Sequence, residues 1–152
     1  MSENSGRSEL TKIALYRNWH KDVVRYADTD RQGHVNNAIF ATFFESGRVS
    51  ILYNPDKPLA PPGASFVIAR LVLDFVAEIR WPNEVNIGTT VLSLGRSSVT
   101  LGQGLFIEER CVAAAETVIV LMDEATRKSR PLPDDAREEL TKWSGGGIFP
   151  EE

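Results

Sequence analysis

The sequence predicts an α+β domain in which a long antiparallel sheet wraps around one apolar helix. A continuous helical pattern comes early in the chain, and four later segments have the alternation or β-branched composition of strands. Strands that follow a helix as a group, instead of alternating with helices, are typical of an antiparallel α+β fold. The 152 residues are enough for one domain with its own core.

The elements are expected in a simple order. Val23 and Tyr26 are strand formers, which places the first strand at residues 19–26. The helical pattern then runs to about Tyr53, contains no glycine except Gly47, and is apolar nearly all round, as in a buried helix. The later elements are expected at 65–80, 85–94, 99–107 and 111–122 for the strands, and at 134–143 for a last helix that begins with Pro133.

The segment 65–80 has the clearest period-two alternation. Val67, Leu71, Phe75 and Ile79 fall on the same side of the predicted strand. A strand with this pattern normally buries one face, so we expect one face of this strand to be dry.

Composition and charge argue against several classes of function. A net charge of −4 gives no support for nucleic-acid binding, and no apolar run is long enough to span a membrane. The polar N-terminus lacks the apolar core of a signal peptide, so a cytoplasmic location is expected. Cys111 is the one cysteine, which excludes an internal disulfide, and no spacing typical of metal ligands is present.

The ends of the chain are expected to lie outside the domain. Residues 1–18 are predicted to be a flexible N-terminal segment, and the first ten look disordered. Residues 19–143 form the single domain. Residues 144–152 include three consecutive glycines and are predicted to be a flexible tail.

The candidate site lies between the first strand and the helix. Asp28 and Asp30 precede Gly33 in a turn, and Asn36 or Asn37 is placed to cap the helix. The free N–H groups and the dipole at a helix start favour negative charge, including the oxyanion of an attacked carbonyl. A D-x-D sequence before a helix more often serves the turn than catalysis when it stands alone.

One polar lane runs along the otherwise apolar helix. Asn37, Ala41, Glu45 and Arg48 are spaced by four, four and three residues, so they share a face. Glu45 and Arg48 are expected to form an ion pair there.

The stretch Y-A-D-T-D-R-Q-G-H-V-N-N-A-I-F-A-T-F-F-E-S-G-R, residues 26–48, resembles the hot-dog thioesterases of the 4-hydroxybenzoyl-CoA thioesterase type. In that family a strand ends in D-x-D, a glycine follows three residues on, and an aromatic-rich helix carries a glutamate and an arginine. The resemblance extends over about residues 23–140. It implies a hot-dog fold, with a long antiparallel sheet wrapped around a central helix, and acyl-CoA thioesterase activity.

The resemblance also implies roles for the residues of the turn. Asp30 aligns with the family's catalytic carboxylate, which acts as a nucleophile that forms an anhydride or as a general base on water. Glu45 is the alternative carboxylate, and Asp28 is expected to be structural. His34 lies in the same turn, and the backbone N–H groups around Asn37 are expected to hold the oxyanion.

The substrate is expected to contact the helix start, the apolar helix face and two basic or hydroxyl-bearing segments. Arginine and lysine match the phosphate oxygens of coenzyme A. The predicted substrate-binding residues are Val35, Asn36, Phe43, Arg96, Ser97, Ser98, Arg127, Lys128 and Arg130.

Alternative functions stay open on the sequence. The G-H-V-N-N form of the motif looks closer to members acting on fatty acyl-CoA or acyl-carrier-protein thioesters than to the aromatic class. An acyl-carrier-protein thioesterase and a non-catalytic acyl-thioester-binding protein are therefore the alternatives. No cofactor is expected beyond the coenzyme A of the substrate, and the resemblance implies a homodimer or a homotetramer.

Overall fold

A computed structural model describes residues 9–144 and shows five strands in one antiparallel sheet. The strands are β1 (Asn18–Val23), β2 (Ala64–Phe75), β3 (Glu84–Leu94), β4 (Ser98–Ile107) and β5 (Arg110–Asp123). Their order across the sheet is β1-β3-β4-β5-β2, so β1 and β2 are the two edges. This arrangement, with one long helix against the sheet, confirms the predicted α+β fold.

Helix α1 (Asn37–Leu52) is the buried helix that the apolar pattern predicted. Phe44 is fully buried, and Phe40 and Ile51 are nearly so. The first half of α1 packs in one core cluster and its last turn in another, which includes Leu140 of α2 (Asp134–Lys142). Among residues 9–144, no helix is both long and apolar enough to cross a membrane.

One of the two predicted N-caps of α1 is confirmed, and Pro133 lies one position earlier relative to its helix than predicted. Asn36, and not Asn37, is the N-cap of α1, and its Oδ1 accepts from the N–H of Ala38 at 2.9 Å. Pro133 precedes α2 as its N-cap residue, in extended conformation, instead of occupying the first helical position. The carbonyl of Pro133 still accepts from the N–H of Arg137 at 3.0 Å, so the helix begins where the sequence indicated.

Strand β1 ends three residues before the predicted Tyr26, since Tyr26–Asp28 forms a 3-10 turn. Strand β2 also ends early, at Phe75, and the prediction of one dry face is wrong. The register against β5 shifts between Ile68 and Arg70, so the alternation does not keep one set of side chains on one face. As an edge strand, β2 leaves Ile68, Leu71 and Phe75 exposed.

The chain that precedes β1 packs against the sheet, whereas the sequence analysis placed residues 1–18 in a flexible segment outside the domain. Leu10 is only 1% exposed and lies against Gly102 of β4. Tyr16 is also buried, lies against Gly88 of β3, and donates its hydroxyl hydrogen to the carbonyl of Leu10. The packed part of the chain therefore begins before the expected residue 19. Ser144, the first residue of the predicted flexible tail at 144–152, is buried. The rest of that tail, and residues 1–8 of the ten that were expected to be disordered, lie outside the described residues.

Replacing Leu10 by alanine should lower the free energy of unfolding by about 2–5 kcal/mol, because a fully buried leucine leaves a cavity when it is truncated. Equilibrium urea denaturation measures this change. The matched control is Ile13→Ala in the same segment, where the side chain is 40% exposed. It should change stability by less than about 0.5 kcal/mol. Equal effects of the two substitutions would contradict the packing of Leu10.

Candidate active site

The turn before α1 holds Asp30 in a fixed position. Oδ1 of Asp30 accepts from the N–H of Gln32 at 2.8 Å and from the N–H of His34 at 3.1 Å. The N–H of Asp30 in turn donates to the carbonyl of His34 at 2.7 Å. Gly33 closes the turn with a φ of +85°, a conformation that a residue with a Cβ rarely adopts. The D-x-D and glycine spacing therefore builds one tight loop.

These backbone donors also set the charge of Asp30. The N–H of His34, supported by that of Gln32, holds the pKa of Asp30 below its ordinary value, in spite of partial desolvation. Asp30 is therefore ionised at neutral pH. Both N–H groups bond Oδ1, and Oδ2 accepts no hydrogen bond from the described residues.

Asp28 has a structural position, as expected. It is buried, and its carboxylate accepts from the backbone N–H of Arg25 at 2.8 Å and from Nη2 of Arg25 at 2.9 Å. Its carbonyl accepts from the N–H of Asn36 at 2.9 Å. Asp28 therefore joins the end of the first strand to the start of α1.

The segment that follows β2 lies beside this turn. The N–H of Val35 donates to the carbonyl of Ile79 at 2.8 Å, and His34 and Arg80 form an isolated antiparallel bridge. Ile79 is fully buried. These bonds bring residues 76–80 into the site, although they are more than forty positions away along the chain.

A cavity of about 310 Å³ opens at the start of α1. Phe40 and Phe75 form an edge-to-face pair with ring centroids 5.0 Å apart on its apolar side. Its lining consists of Asp30, His34, Val35, Asn37, Phe40, Phe75, Val76, Ala77 and Glu78. The cavity therefore combines an ionised carboxylate with an apolar wall.

The N–H groups at the helix start are not equally available. Those of Val35 and Asn36 donate to the carbonyls of Ile79 and Asp28, and that of Ala38 donates to the cap Asn36. Within residues 9–144, the N–H of Asn37 has no acceptor. Of the N–H groups predicted to hold the oxyanion, that of Asn37 is therefore the one without an acceptor in the described part of the chain.

His34 and Glu78 meet in the same cavity. Nε2 of His34 is buried and lies 3.1 Å from Oε2 of Glu78, but the direction of approach does not make a hydrogen bond. No other hydrogen-bond partner for Nε2 exists among the described residues. Glu78 also lies 3.9 Å from Nη2 of Arg80.

Glu45 does not lie in the cavity that Asp30 lines. It lines a second cavity of about 210 Å³ between α1, β2 and β5, together with Arg48. The predicted Glu45–Arg48 ion pair is wrong, because Arg48 turns into the core, where its Nη1 lies 3.4 Å from Oε1 of Gln103. Burial lowers the pKa of the Arg48 guanidinium, and the nearby Glu45 partly offsets this effect.

Two predicted substrate-binding residues have other positions. Phe43 is buried in the core and lines neither cavity, whereas Phe40, one turn earlier, lines the cavity of Asp30. Asn36 is exposed and serves as the helix cap. The periodicity of the helix could have indicated Phe40, since it lies three residues after Asn37 on the same face.

The predicted basic segments lie together at the far end of the sheet. The carbonyl of Arg96 accepts from the N–H of Leu132 at 2.9 Å, which joins the β3–β4 turn to the segment after β5. We call this group the basic cluster, and its members are Arg96, Ser97, Ser98, Arg127, Lys128 and Arg130.

The sheet register separates the basic cluster from Asp30 of the same chain. Phe75, at the cavity, pairs with Ala113, whereas Ala64 pairs with Asp123, beside the basic cluster. The stretch of β5 from Ala113 to Asp123 spans about 30 Å at the usual rise of a strand. One chain by itself therefore does not bring these predicted residues to the cavity.

Apart from Phe40, the cavity residues that the sequence did not indicate come from residues 75–78. Their position depends on the backbone hydrogen bond between Val35 and Ile79, which no local pattern predicts.

Among residues 9–144, no three His, Cys, Asp or Glu side chains are grouped as metal ligands would be.

A long antiparallel sheet against one buried helix, with an acidic turn and a cavity at the helix start, defines a hot-dog domain. Residues 24–140 match the family model of the thioesterase-like superfamily, which is well over half of the chain. The chain therefore belongs to the thioesterase-like superfamily. This confirms the predicted family and the enzyme class of thioester hydrolase.

Individual relatives agree with this assignment. The acyl-CoA thioester hydrolase YbgC of Escherichia coli is 27% identical over 114 residues, which covers 72% of this chain and 85% of that protein. A thioesterase from Thermus thermophilus, solved with coenzyme A and zinc, is 28% identical with a TM-score of 0.72. That match covers 82% of this chain and 98% of the other. The PA5185 protein of Pseudomonas aeruginosa, 24% identical, shares the fold with a TM-score of 0.78 over 88% of this chain and 95% of its own.

Replacing Asp28 by alanine should lower the free energy of unfolding by about 1–3 kcal/mol, because the backbone N–H of Arg25 loses a buried acceptor. Chemical denaturation followed by circular dichroism measures it. Asp56→Ala, at an exposed position in the loop after α1, is the control and should change stability by less than about 0.5 kcal/mol. An Asp28 variant as stable as the native protein would contradict the structural role.

Proposed function

We propose that the protein hydrolyses an acyl-CoA thioester to the free acid and coenzyme A, with Asp30 as the catalytic carboxylate. The observation that carries this proposal is the arrangement of Asp30 and Asn37 around one cavity. Within residues 9–144, Oδ2 of the ionised Asp30 carboxylate accepts no hydrogen bond, and the backbone N–H of Asn37 at the helix start has no acceptor. A thioester carbonyl placed between them meets both a nucleophile and a donor for its oxyanion.

The substrate class is supported by the cavity and by the relatives. The Phe40–Phe75 wall suits an apolar acyl or aryl group. The E. coli relative is named an acyl-CoA thioester hydrolase, and the T. thermophilus thioesterase was solved with coenzyme A. Both facts favour coenzyme A as the thiol part of the substrate.

Asp30 acts as the nucleophile in this proposal. A general base works best when its pKa lies near the working pH, and the pKa of Asp30 is held below the ordinary aspartate value. Such a carboxylate is a weak base but is fully ionised. Attack by Oδ2 on the thioester carbon forms a mixed anhydride and releases the thiolate of coenzyme A.

We also propose that the protein works as a homodimer joined through β2. Edge strand β2 presents exposed apolar side chains, among them Ile68, Leu71 and Phe75, and its outer edge pairs with no other strand of residues 9–144. If two β2 strands pair antiparallel about a two-fold axis, the Phe75 end of one lies beside the Ala64 end of the other. The partner subunit's basic cluster then lies near this subunit's Asp30, where it would bind the phosphates of coenzyme A.

The first test is thiol release from a panel of short, long and aromatic acyl-CoAs. Asp30→Asn should lower kcat by several orders of magnitude, because the nucleophile is lost while the size of the side chain is kept. Glu45→Gln is the matched control and should keep native activity, since Glu45 lines a different cavity. Thermal melts check that both variants fold.

Full activity of Asp30→Asn would overturn the role of Asp30, and loss of activity in Glu45→Gln alone would move catalysis to the helix. No turnover of any acyl-CoA by the folded native protein would overturn the proposed substrate.

The second test is complementation between subunits. Asp30→Asn and the double variant Arg127→Glu with Arg130→Glu should each be inactive alone. After the two are mixed, unfolded and refolded together, activity should return, because a mixed dimer has one site with a native Asp30 and a native basic cluster. The same mixture without refolding is the control. No recovery, with mixed dimers demonstrated by mass spectrometry, would contradict a site shared between subunits.

A further inference from the structure

Glu78 is a second carboxylate in the cavity of Asp30, and the attack by Asp30 does not use it. It follows β2 and reaches the cavity through the bond between Val35 and Ile79. It also lines a neighbouring groove of about 430 Å³ with Arg80 and Arg110. A charged side chain at this boundary has either an electrostatic role with Arg80 or a role in the reaction.

The geometry favours a role through His34. Nε2 of His34 is buried, has no hydrogen-bond partner among the described residues, and lies 3.1 Å from Oε2 of Glu78. A buried ring nitrogen without a partner is costly, so a small rotation that completes this bond is favourable. Hydrogen bonds of catalytic groups are often misaligned without substrate and become aligned in the complex.

An ion pair between Glu78 and Arg80 accounts for less of the observed geometry than a role through His34. Nη2 of Arg80 lies 3.9 Å from Oε2 of Glu78, and both side chains are mostly exposed. An exposed ion pair of this length contributes little. It also leaves Nε2 of His34 without a hydrogen-bond partner among the described residues.

We infer that Glu78 is a positioning residue, which accepts the Nε2–H of His34 and leaves Nδ1 of His34 free to take a proton from the hydrolytic water. This inference rests on the proposed function, since it concerns the second half of the same reaction. The sequence indicated His34 but gave no reason to select Glu78, which lies on another segment of the chain.

Asp30 and the acyl group form a mixed anhydride in the first half of the reaction, and the thiolate of coenzyme A leaves. A water oxygen then bonds to an anhydride carbonyl carbon while Nδ1 of His34 takes one of its protons. The anhydride C–O bond breaks, which yields the free acid and restores the carboxylate of Asp30. The imidazolium, stabilised by Glu78, returns its proton to the thiolate or to solvent.

The kinetic test compares native protein with Glu78→Gln by rapid quench, with thiol and acid measured in the same samples. Glu78→Gln should lower kcat by roughly 10²-fold, the lower end of what general acid–base catalysis contributes. Thiol should appear in a burst of about one per site, ahead of the acid, because only the second half of the reaction is slowed. Glu78→Asp should recover part of the rate, and Glu138→Gln on the exposed face of α2 is the charge-matched control.

The second readout does not depend on activity. The chain has two histidines, His20 and His34, so ¹⁵N NMR of the ring nitrogens gives two sets of signals, and His20→Gln assigns them. Neutral His34 should carry its proton on Nε2 in the native protein. In Glu78→Gln, which offers a neutral amide in place of the carboxylate, this preference should weaken.

Native kcat and an unchanged Nε2–H tautomer in Glu78→Gln would overturn the inference. A kcat loss with thiol and acid still released in step would also overturn it, because Glu78 would then act before the anhydride is formed. If the native protein releases no thiol from any acyl-CoA, the proposed function fails. The tautomer measurement then decides by itself whether Glu78 positions His34.

Discussion

The close contact between α1 and the centre of the sheet is the constraint on which the position of the candidate site depends. Gly47 faces the sheet, and a Cβ at that position would lie 2.6 Å from Cγ2 of Ile87 and 2.9 Å from Nε2 of Gln103. Gln103 is fully buried, and its Nε2 donates to the carbonyl of Phe44 and to Oγ1 of Thr89. The helix is therefore held at a fixed distance from β3 and β4, both by packing and by hydrogen bonds.

This contact sets the position of the helix start, and further backbone bonds complete the site there. The N–H of Asn36 donates to the carbonyl of Asp28, and the N–H of Val35 donates to the carbonyl of Ile79. The N–H of Asn37 then has no acceptor among the described residues. The site therefore depends on which backbone N–H groups at the start of the buried helix are already hydrogen-bonded and which one is not. Asp30 is placed beside the remaining donor by its own turn.

Four carboxylates near the helix illustrate how position decides chemical role. Asp28 is buried and bonded at both carboxylate oxygens, so it supports the fold. Asp30 is bonded at one oxygen and kept ionised, which suits a nucleophile. Glu45 lies in a separate cavity, whereas Glu78, from a distant segment, lies beside His34. Residue type alone does not distinguish these four side chains.

Local patterns determined the fold class, the buried helix, most strand positions and the turn of Asp30, because periodicity and turn residues act over a few neighbouring positions. They could not place residues 76–80 or Leu10 in the structure, nor separate Glu45 from the site, because these depend on contacts between distant segments. The prediction of one dry face for residues 65–80 was wrong for the same reason. The register shift at Ala69 and the edge position of β2 follow from pairing with β5, which the alternation of the sequence does not show. The sequence by itself thus determined the elements and indicated Asp30 and Glu45 as alternative catalytic carboxylates, and the tertiary structure decided which side chains share the cavity of Asp30.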